Sequence, residues 1–281
     1  MAGVTLVHPV LETAAAAAVD AYRIAVATRP RSDLAATVGL GGDGTPTYAL
    51  DVIVERPVLD VLERHGVNVL SEEVGWIDRG SAMTVVMDPV DGTANAVAGV
   101  PWCAFGAALA VDGELTEALV VWLDGGRRWA ARCGVSSGRR TTGRRSLDGA
   151  AVCMLRPRPA TMSAWSAVAA RADRVRVLGS SLLEGCLVAD GAVDAFCDPG
   201  GDVHRIVDLA ATQVIVEAAG GVVADVHGRP LTLEPDLRRR WSGIVAATPD
   251  LAAEIADIVR RHPAPDTSSS PTGHPVALKG S

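Results

Sequence analysis

Residues 85–101 read VVMDPVDGTANAVAGVP, and this stretch carries most of what the chain says about its fold and its site. The apolar run before Asp88 predicts a strand, and the small residues after Gly92 predict the start of a helix. Asp88 and Asp91 offer the hard oxygen ligands that Mg²⁺ prefers. The free amides of a helix N-terminus attract a phosphate group. The stretch therefore predicts a combined metal and phosphate site.

Pro89 lies between the two aspartates. Because proline cannot donate a hydrogen bond to a neighbouring strand, we expect the strand to stop there. The two carboxylates would then meet at its C-terminal edge, where like charges repel unless a cation lies between them. The alternative is that Asp88 and Asp91 only stabilise a turn or cap the helix.

Composition bounds the kind of protein this can be. The chain has 281 residues, of which 48% are hydrophobic and only 4% aromatic, so its core must be built from Ala, Val and Leu. A net charge of −7 argues against a broad nucleic-acid surface. An acidic protein can still bind anionic substrates when divalent cations carry the positive charge.

Cysteine usage and apolar runs bear on the compartment. The five cysteines form neither a CxxC pair nor a zinc pattern, which predicts reduced, buried thiols in a cytoplasmic protein. The Ala-rich segment 14–19 predicts a helix, not a signal peptide. No apolar run reaches the ~18–20 residues of a membrane span, so we expect no membrane partner.

Apolar periodicity organises the chain into two parts. The first part has predicted helices at 8–28 and 47–65 and predicted strands at 67–70, 84–87, 104–111 and 117–123. A Gly-, Ser- and Arg-rich connection follows at 134–149. Beyond it strands and helices alternate, at 175–178, 181–191, 195–197, 206–219 and 221–226.

This order predicts an α/β protein with two halves. An α+β N-terminal half would occupy residues 1–150, and an α/β C-terminal half would occupy residues 151–262. Residues 263–281 are rich in Ser, Pro and Gly, which predicts a disordered tail.

Other polar residues have two interpretations each. Glu72 and Glu73 follow a predicted strand, where a charged pair is commonly just solvated. Asp208 and Asp202 compete for a metal role, with helix capping or a turn as the alternative. The loop Gly179-Ser180-Ser181 could hold a substrate group or simply cap a helix. The arginines between 127 and 145 predict a solvated surface loop, or else a substrate-phosphate site.

Taken together, these motifs resemble the inositol monophosphatase family. Its first motif is matched by SEEVG at 71–75, its second by DPVDGTANAVAGVP at 88–101, and its third by IVDLAAT at 206–212 followed by EAAGG at 217–221. GGDGTPTYALD at 41–51 and VNVLSEEVG at 67–75 are similar to the archaeal-type dual inositol monophosphatase/fructose-1,6-bisphosphatase subgroup. The resemblance spans roughly residues 10–250.

The resemblance implies a layered αβαβα sandwich and a Mg²⁺-dependent phosphatase. It selects Asp208 over Asp202, because Asp208 begins the D-x-A-A pattern twelve residues before Gly220. The implied metal ligands, for two or three Mg²⁺ ions, are Glu72, Asp88, the Val90 carbonyl, Asp91 and Asp208. Thr93 would orient the attacking water, aided by Glu73 or Asp43. The implied substrate and phosphate contacts are Gly92, Thr93, Gly179, Ser180 and Asp198, to which we add Arg205 as an anion contact.

Three departures from the family pattern concern the substrate. Val207 stands where the family usually has Trp, Tyr48 stands where a basic residue is common, and three extra residues separate Asp198 from Asp208. We expect hydrolysis of inositol monophosphate, fructose-1,6-bisphosphate or a related sugar phosphate. The alternatives are a nucleotide phosphatase of a specialised biosynthetic pathway and a non-catalytic phosphate-binding regulatory protein. The family suggests a homodimer that acts on a small phosphate ester, with no nucleic-acid polymer as a partner.

Overall fold

A computed structural model describes residues 7–263, so the expected tail at 263–281 lies almost wholly outside the described residues. The helices are α1 (Pro9–Thr28), α2 (Arg31–Leu34), α3 (Ala49–Arg64), α4 (Thr93–Ala98), α5 (Met162–Ala169), α6 (Ser181–Ala189), α7 (Ile206–Glu217) and α8 (Pro249–Arg261), with a short 3₁₀ turn at Pro159–Thr161. The strands are β1 (Thr37–Leu40), β2 (Pro46–Tyr48), β3 (Asn68–Ser71), β4 (Gly75–Ile77), β5 (Met83–Asp91), β6 (Ala104–Val111), β7 (Glu114–Trp122), β8 (Arg128–Arg132), β9 (Ala151–Met154), β10 (Arg174–Arg176), β11 (Ala195–Cys197), β12 (Val222–Asp225) and β13 (Gly243–Ala246).

The larger sheet has six strands in the order β4-β3-β5-β6-β7-β8. Strands β3 and β5 run parallel, and the remaining neighbours are antiparallel. Asp112 and Gly113 form the turn between β6 and β7, and both have positive φ, which matches the primed turn that hairpins favour. All six strands precede residue 150.

The smaller sheet has five strands in the order β10-β9-β11-β13-β12, and all of them follow residue 150. The two sheets thus fall on either side of the expected boundary near residue 150, but the division into two halves stays a prediction. Strands β9, β10 and β11 are parallel to one another, whereas β13 runs antiparallel to both of its neighbours.

Strands β1 and β2 form a separate two-stranded antiparallel sheet. Six of the helices form three layers around the two larger sheets. Helices α1 and α3 pack together on one face of the larger sheet. Helices α6 and α7 lie between the sheets and contact both, and their apolar side chains fill the central core. Helices α5 and α8 cover the far face of the smaller sheet. The result is the αβαβα sandwich that the sequence predicts.

Strand β5 passes through Pro89, contrary to our expectation. Its pairing with β6 shifts between Asp88, opposite Gly106, and Asp91, opposite Ala104. Three steps along β5 therefore match two along β6, which is a bulge. A bulge leaves its extra residue unpaired, so proline is accommodated there without a missing ladder bond.

The arginines between 127 and 145 mostly pair with acids of the surrounding elements. Arg127 and Arg139 both bind Asp190. Four further pairs join Arg128 to Glu12, Arg132 to Glu117, Arg144 to Asp194 and Arg145 to Asp250. The prediction of a solvated loop is wrong for part of this stretch, because Arg128–Arg132 form the edge strand β8. The ion pairs engage six of the seven arginines with acids of the protein.

Two expectations about the whole chain can be compared with the described part. All five cysteines carry free thiols, as predicted, although Cys133 is exposed while the other four are buried. Among residues 7–263, no helix combines the length and the apolar character that crossing a membrane requires.

Candidate active site

Three carboxylates converge at the C-terminal ends of β3 and β5. Glu72 directly follows β3, Asp88 lies on β5, and Asp208 lies in the first turn of α7. The parallel register pairs Ser71 with Met87, so the next residues, Glu72 and Asp88, emerge side by side. One oxygen from each of the three residues lies within 4.8 Å of the others. We call Glu72, Asp88 and Asp208 the acid cluster.

The acid cluster carries charges that repel one another. Asp88 is buried, and burial raises its pKa well above the usual range, with Glu72, Asp91 and Asp208 adding to the effect. Because these carboxylates repel one another when they are all ionised, a cation bound between them would be stabilised. The donor set is entirely oxygen, which suits Mg²⁺ better than a softer metal. These residues therefore fit the ion that the sequence implies.

The bulge at Pro89 places Val90 beside the acid cluster. The Val90 amide donates to Asp88 Oδ1 at 2.9 Å, which fixes the orientation of the Asp88 carboxylate. The Val90 carbonyl accepts from Thr93 Oγ1 at 2.8 Å. A bulged strand thus turns both a carboxylate and a carbonyl oxygen toward the same end of the sheet.

Asp91 is held by the N-terminus of α6. Its carboxylate accepts from Ser180 Oγ at 2.5 Å, from the Leu182 amide at 2.7 Å and from the Ser181 amide at 3.2 Å. Burial raises the pKa of Asp91 to about 7, although these hydrogen bonds act in the opposite direction. Asp91 therefore joins β5 to α6 and orients Ser180, and it does not belong to the three-residue acid cluster.

Arg205 places its guanidinium among the carboxylates. Nη2 lies 3.0 Å from Asp208 Oδ1, and Nη1 binds both Glu72 and Asp43, the latter at 3.2 Å. The arginine side chain is 14% exposed. Burial raises the pKa of Asp208, but Arg205 more than offsets that effect and lowers it below the usual value. The sequence predicts that Arg205 contacts an anion of the substrate, whereas its partners in this structure are carboxylates of the protein itself.

Asp43 lies on the loop between β1 and β2 and faces the same arginine. It accepts from the Thr45 amide at 2.7 Å and from Thr45 Oγ1 at 2.6 Å, and Arg240 Nη2 lies 2.7 Å from its Oδ2. Burial raises the pKa of Asp43, yet Thr45 and the two arginines lower it to about 2. Asp43 is therefore ionised throughout the neutral range.

Glu73 is bound by a different threonine, Thr47. Its carboxylate accepts from Thr47 Oγ1, and burial raises its pKa to about 7. The roles of Glu73 and Asp43 in orienting a water stay predictions, since neither is a hydrogen-bond partner of Thr93.

The partner of Thr93 is Asp51, which our sequence reasoning did not single out. Thr93 Oγ1 lies 2.7 Å from Asp51 Oδ1. Asp51 is buried in the first turn of α3, and burial raises its pKa to about 8, with Glu73 and Glu72 adding to the effect. The signal was present, since Asp51 ends the GGDGTPTYALD motif and is one of two acids, with Glu55, on the mainly apolar buried face of α3.

The predicted phosphate-binding residues, Gly92 and Thr93, lie where β5 meets α4. Gly92 has φ of +91°, and a Cβ there would lie 2.9 Å from the Trp102 carbonyl and 3.1 Å from the Gly179 carbonyl. A side chain would therefore clash and also strain the backbone. Asn95 Nδ2 donates to the Leu178 carbonyl at 2.8 Å, which fixes α4 against the loop that carries Gly179.

Asp198 orders the loop that precedes α7. Its two oxygens accept from the amides of Gly201, at 2.7 Å, and Val203, at 2.8 Å. The predicted contact between Asp198 and a substrate hydroxyl stays a prediction, because both oxygens already bind this loop. The three extra residues before Asp208 thus form a loop that is folded around a buried carboxylate.

A cavity of about 400 Å³ opens beside Gly179 and Ser181. Its lining includes Asn95, Arg156, Arg158 and Val203. Within residues 7–263, neither Arg156 nor Arg158 forms an ion pair or donates a side-chain hydrogen bond. The Ser181 amide donates to Asp91, so the cavity lies beside the end of β5 that carries Asp91.

The fold and the convergent carboxylates together define a phosphatase of a metal-dependent class. The model of the inositol monophosphatase family matches residues 6–264. The chain therefore belongs to the inositol monophosphatase family, and it is a phosphoric monoester hydrolase.

Individual relatives agree with this assignment. The chain is 32% identical over 249 residues to a fructose-1,6-bisphosphatase/inositol-1-monophosphatase of Archaeoglobus fulgidus, covering 85% of this chain and 93% of the relative. It is 28% identical over 238 residues to a bifunctional NADP phosphatase/NAD kinase of Methanococcus maripaludis, covering 74% and 42%. The crystal structure of an inositol monophosphatase–fructose 1,6-bisphosphatase superposes with a TM-score of 0.78 at 27% identity, covering 89% of this chain and 98% of that one.

Proposed function

We propose that this protein hydrolyses a small phosphate monoester with Mg²⁺ bound at the acid cluster. The observation that carries the proposal is the convergence of Glu72, Asp88 and Asp208 beside the N-terminus of α4. Divalent ions bound there would neutralise the phosphate oxygens and supply an activated water. Asp91 and the Val90 carbonyl, on the same bulged strand, would complete the set of ligands for two or three ions.

Thr93 and Asp51 would orient the attacking water. Thr93 Oγ1 has one proton but lies within hydrogen-bond distance of two oxygens, on Val90 and Asp51. When Asp51 is protonated, it can donate to Thr93, and Thr93 can donate to Val90. When Asp51 is ionised, it can accept from Thr93, which leaves the threonine oxygen free to accept a hydrogen bond from water and to pass its own proton to Asp51 as it takes the proton of the water. The pair can therefore move a proton without either residue changing position.

Gly92 and Thr93 would bind the transferred phosphate. Both lie at the N-terminal end of α4, and the missing Cβ of Gly92 lets the carbonyls of Trp102 and Gly179 approach its backbone closely. Gly179, Ser180 and Asp198 would contact the rest of the substrate, and Arg205 would contact its phosphate.

The cavity beside Gly179 favours a substrate with a second anionic group. Arg156 and Arg158 line it without an acid partner in the described residues, and an unpaired guanidinium is well suited to a phosphate. This favours a sugar bisphosphate over inositol monophosphate, and it leaves open a nucleotide that carries a second phosphate. One relative is named for fructose-1,6-bisphosphate and another for NADP.

A phosphate-release assay tests the proposal. Purified protein with Mg²⁺ would be given fructose-1,6-bisphosphate, inositol-1-phosphate, NADP and a nucleoside monophosphate at equal concentration. We expect the bisphosphate to give the highest kcat/KM and EDTA to abolish release. No release from any substrate would favour the non-catalytic binding protein instead.

We also propose that the enzyme is a cytoplasmic homodimer, on the strength of the family resemblance and the free thiols. Light scattering coupled to gel filtration measures the assembly state, and fractionation of the source cells measures the location.

A further inference from the structure

The guanidinium of Arg205 contacts two members of the acid cluster, Glu72 and Asp208. It is the N-cap residue of α7, and its backbone amide donates to Asp208 Oδ2 at 2.6 Å. Its side chain then folds back so that Nη1 contacts Glu72 and Asp43 while Nη2 and Nε contact Asp208. One cation thus bridges acids that come from three separate segments of the chain.

We propose that Arg205 is a resident counter-cation that a divalent ion must displace, so that Arg205 sets the metal affinity of the site. The inference rests on the proposed function, because it takes the acid cluster to be the metal site. Arg205 acts here as a positioning residue, since it acts through the carboxylates.

The shared carboxylates support the competition. Glu72 and Asp208 both offer an oxygen to the acid cluster, and both bind Arg205. An ion bound by the two carboxylates would lie about 2.0–2.1 Å from their oxygens if it were Mg²⁺. The guanidinium spans the same two residues, so the two cations cannot both bind them directly without like-charge repulsion.

Electrostatics explains why the arginine is there. Glu72, Asp88 and Asp208 would repel one another in the metal-free protein, and Arg205 supplies the positive charge that offsets this repulsion. Burial lowers the pKa of Arg205, but Asp208 and Glu72 raise it well above its usual value, so the guanidinium stays charged. Displacement therefore has to break charge-assisted hydrogen bonds, which weakens metal binding.

Arg240 makes the exchange feasible. It binds Asp43 independently at 2.7 Å and also donates to the Leu237 carbonyl at 2.7 Å. Asp43 therefore keeps a cationic partner after Arg205 leaves. Once displaced, the Arg205 guanidinium becomes available to an anion, which agrees with the phosphate contact proposed for it.

The test measures Mg²⁺ and Mn²⁺ affinity, by calorimetry and by Mn²⁺ electron paramagnetic resonance, in the wild type and in Arg205→Gln. The glutamine variant keeps the backbone amide that donates a hydrogen bond to Asp208, so the start of α7 is preserved. We expect it to bind either ion at least about tenfold more tightly, the scale of one lost charge-assisted hydrogen bond. Its metal-free Tm should fall, and the Mg²⁺-induced rise in Tm should grow.

Two further variants sharpen the test. Arg205→Lys keeps the charge without the planar fork, so its affinity should lie between those of the wild type and Arg205→Gln. Arg229→Gln removes the same charge from an arginine that pairs with Asp202 and Asp225 instead, and it should leave metal affinity within about twofold of the wild type.

The outcomes separate this inference from the proposed function. Equal or weaker metal binding by Arg205→Gln overturns the inference, while the wild type may still hydrolyse phosphate esters with Mg²⁺. An equal gain in Arg229→Gln overturns it as well, since net charge would then be the cause. If neither the wild type nor Arg205→Gln binds Mg²⁺ or Mn²⁺, the inference and the metal site both fail.

Discussion

Asp91 and Ser180 are 89 residues apart in the chain, and their side chains meet at 2.5 Å between Asp91 Oδ2 and Ser180 Oγ. The contact joins the end of β5 to the start of α6. Because α6 lies between the two sheets, this hydrogen bond connects the metal motif of the larger sheet to the loop that carries Gly179. The position of the predicted substrate loop therefore depends on a predicted metal ligand.

Removing the Ser180 hydroxyl should destabilise this connection. The hydroxyl also accepts from the Leu183 amide at 3.4 Å as the N-cap of α6. We expect Ser180→Ala to lose about 1–3 kcal/mol in the free energy of unfolding, measured by urea denaturation. Ser181→Ala is the matched control and should change stability by less than about 0.5 kcal/mol. Equal effects from the two variants would contradict the role assigned to the Asp91 contact.

Asp51 should matter for catalysis more than for stability. Asp51→Asn removes the group that accepts the proton from Thr93, so kcat should fall by about 10²–10⁴-fold. The metal-free variant should be at least as stable as the wild type at pH 8, because burial disfavours the charged form of Asp51 and raises its pKa to about 8. Asp60→Asn, an exposed change on the same helix, is the control. A folded D51N enzyme with normal kcat would refute the proposed pair.

The metal-free protein should lose stability as pH rises toward 8. Burial raises the pKa of Asp51 and of Glu184 to about 8, from ordinary values of 3.8 and 4.5. Between those limits the folded protein holds protons that the unfolded chain has released, so the free energy of unfolding falls with increasing pH. Thermal unfolding in EDTA at pH 5.5, 6.5 and 8 measures the trend.

Glu184→Gln provides the control for this pH dependence. Glu184 is fully buried and accepts from the amides of Leu178, Gly179 and Ser180. Glutamine cannot ionise, so the variant should show a shallower decline between pH 5.5 and 8. Wild-type stability that increases over the same interval would be inconsistent with buried, protonated carboxyl groups.

Arg156 and Arg158 line the cavity without an ion-pair partner in residues 7–263, and they should favour a substrate that carries a second phosphate. Arg156→Gln or Arg158→Gln should raise KM for fructose-1,6-bisphosphate by about tenfold, the value of one charge-assisted contact, and leave KM for inositol-1-phosphate nearly unchanged. Arg145→Gln, an exposed arginine that pairs with Asp250, is the matched control. An equal rise in KM for both substrates would show that Arg156 and Arg158 do not bind a second phosphate.

Much of the fold could be predicted because long periodic segments carry strong signals. Helices α1 and α3 and strand β6 appear within a few residues of their expected ranges. Strand β11 was also predicted, although it has only three residues. Strands β8, β9 and β13, with four or five residues each, were not, because periodicity does not reliably distinguish so short a run from a loop. Helix α8 could have been predicted, since Thr248 caps it and Pro249 starts it.

The sequence by itself determined the acidic motifs and, through the family that these motifs resemble, the sandwich and the phosphatase class, since the motifs depend on residue types in a fixed order along the chain. Tertiary structure alone decided the pairing of Thr93 with Asp51, the attachment of Asp91 to α6, and the position of Arg205 among the carboxylates. The reason is physical. Spacing along a chain limits which residues can share an element, but packing decides which buried charges meet, and each buried charge needs a partner.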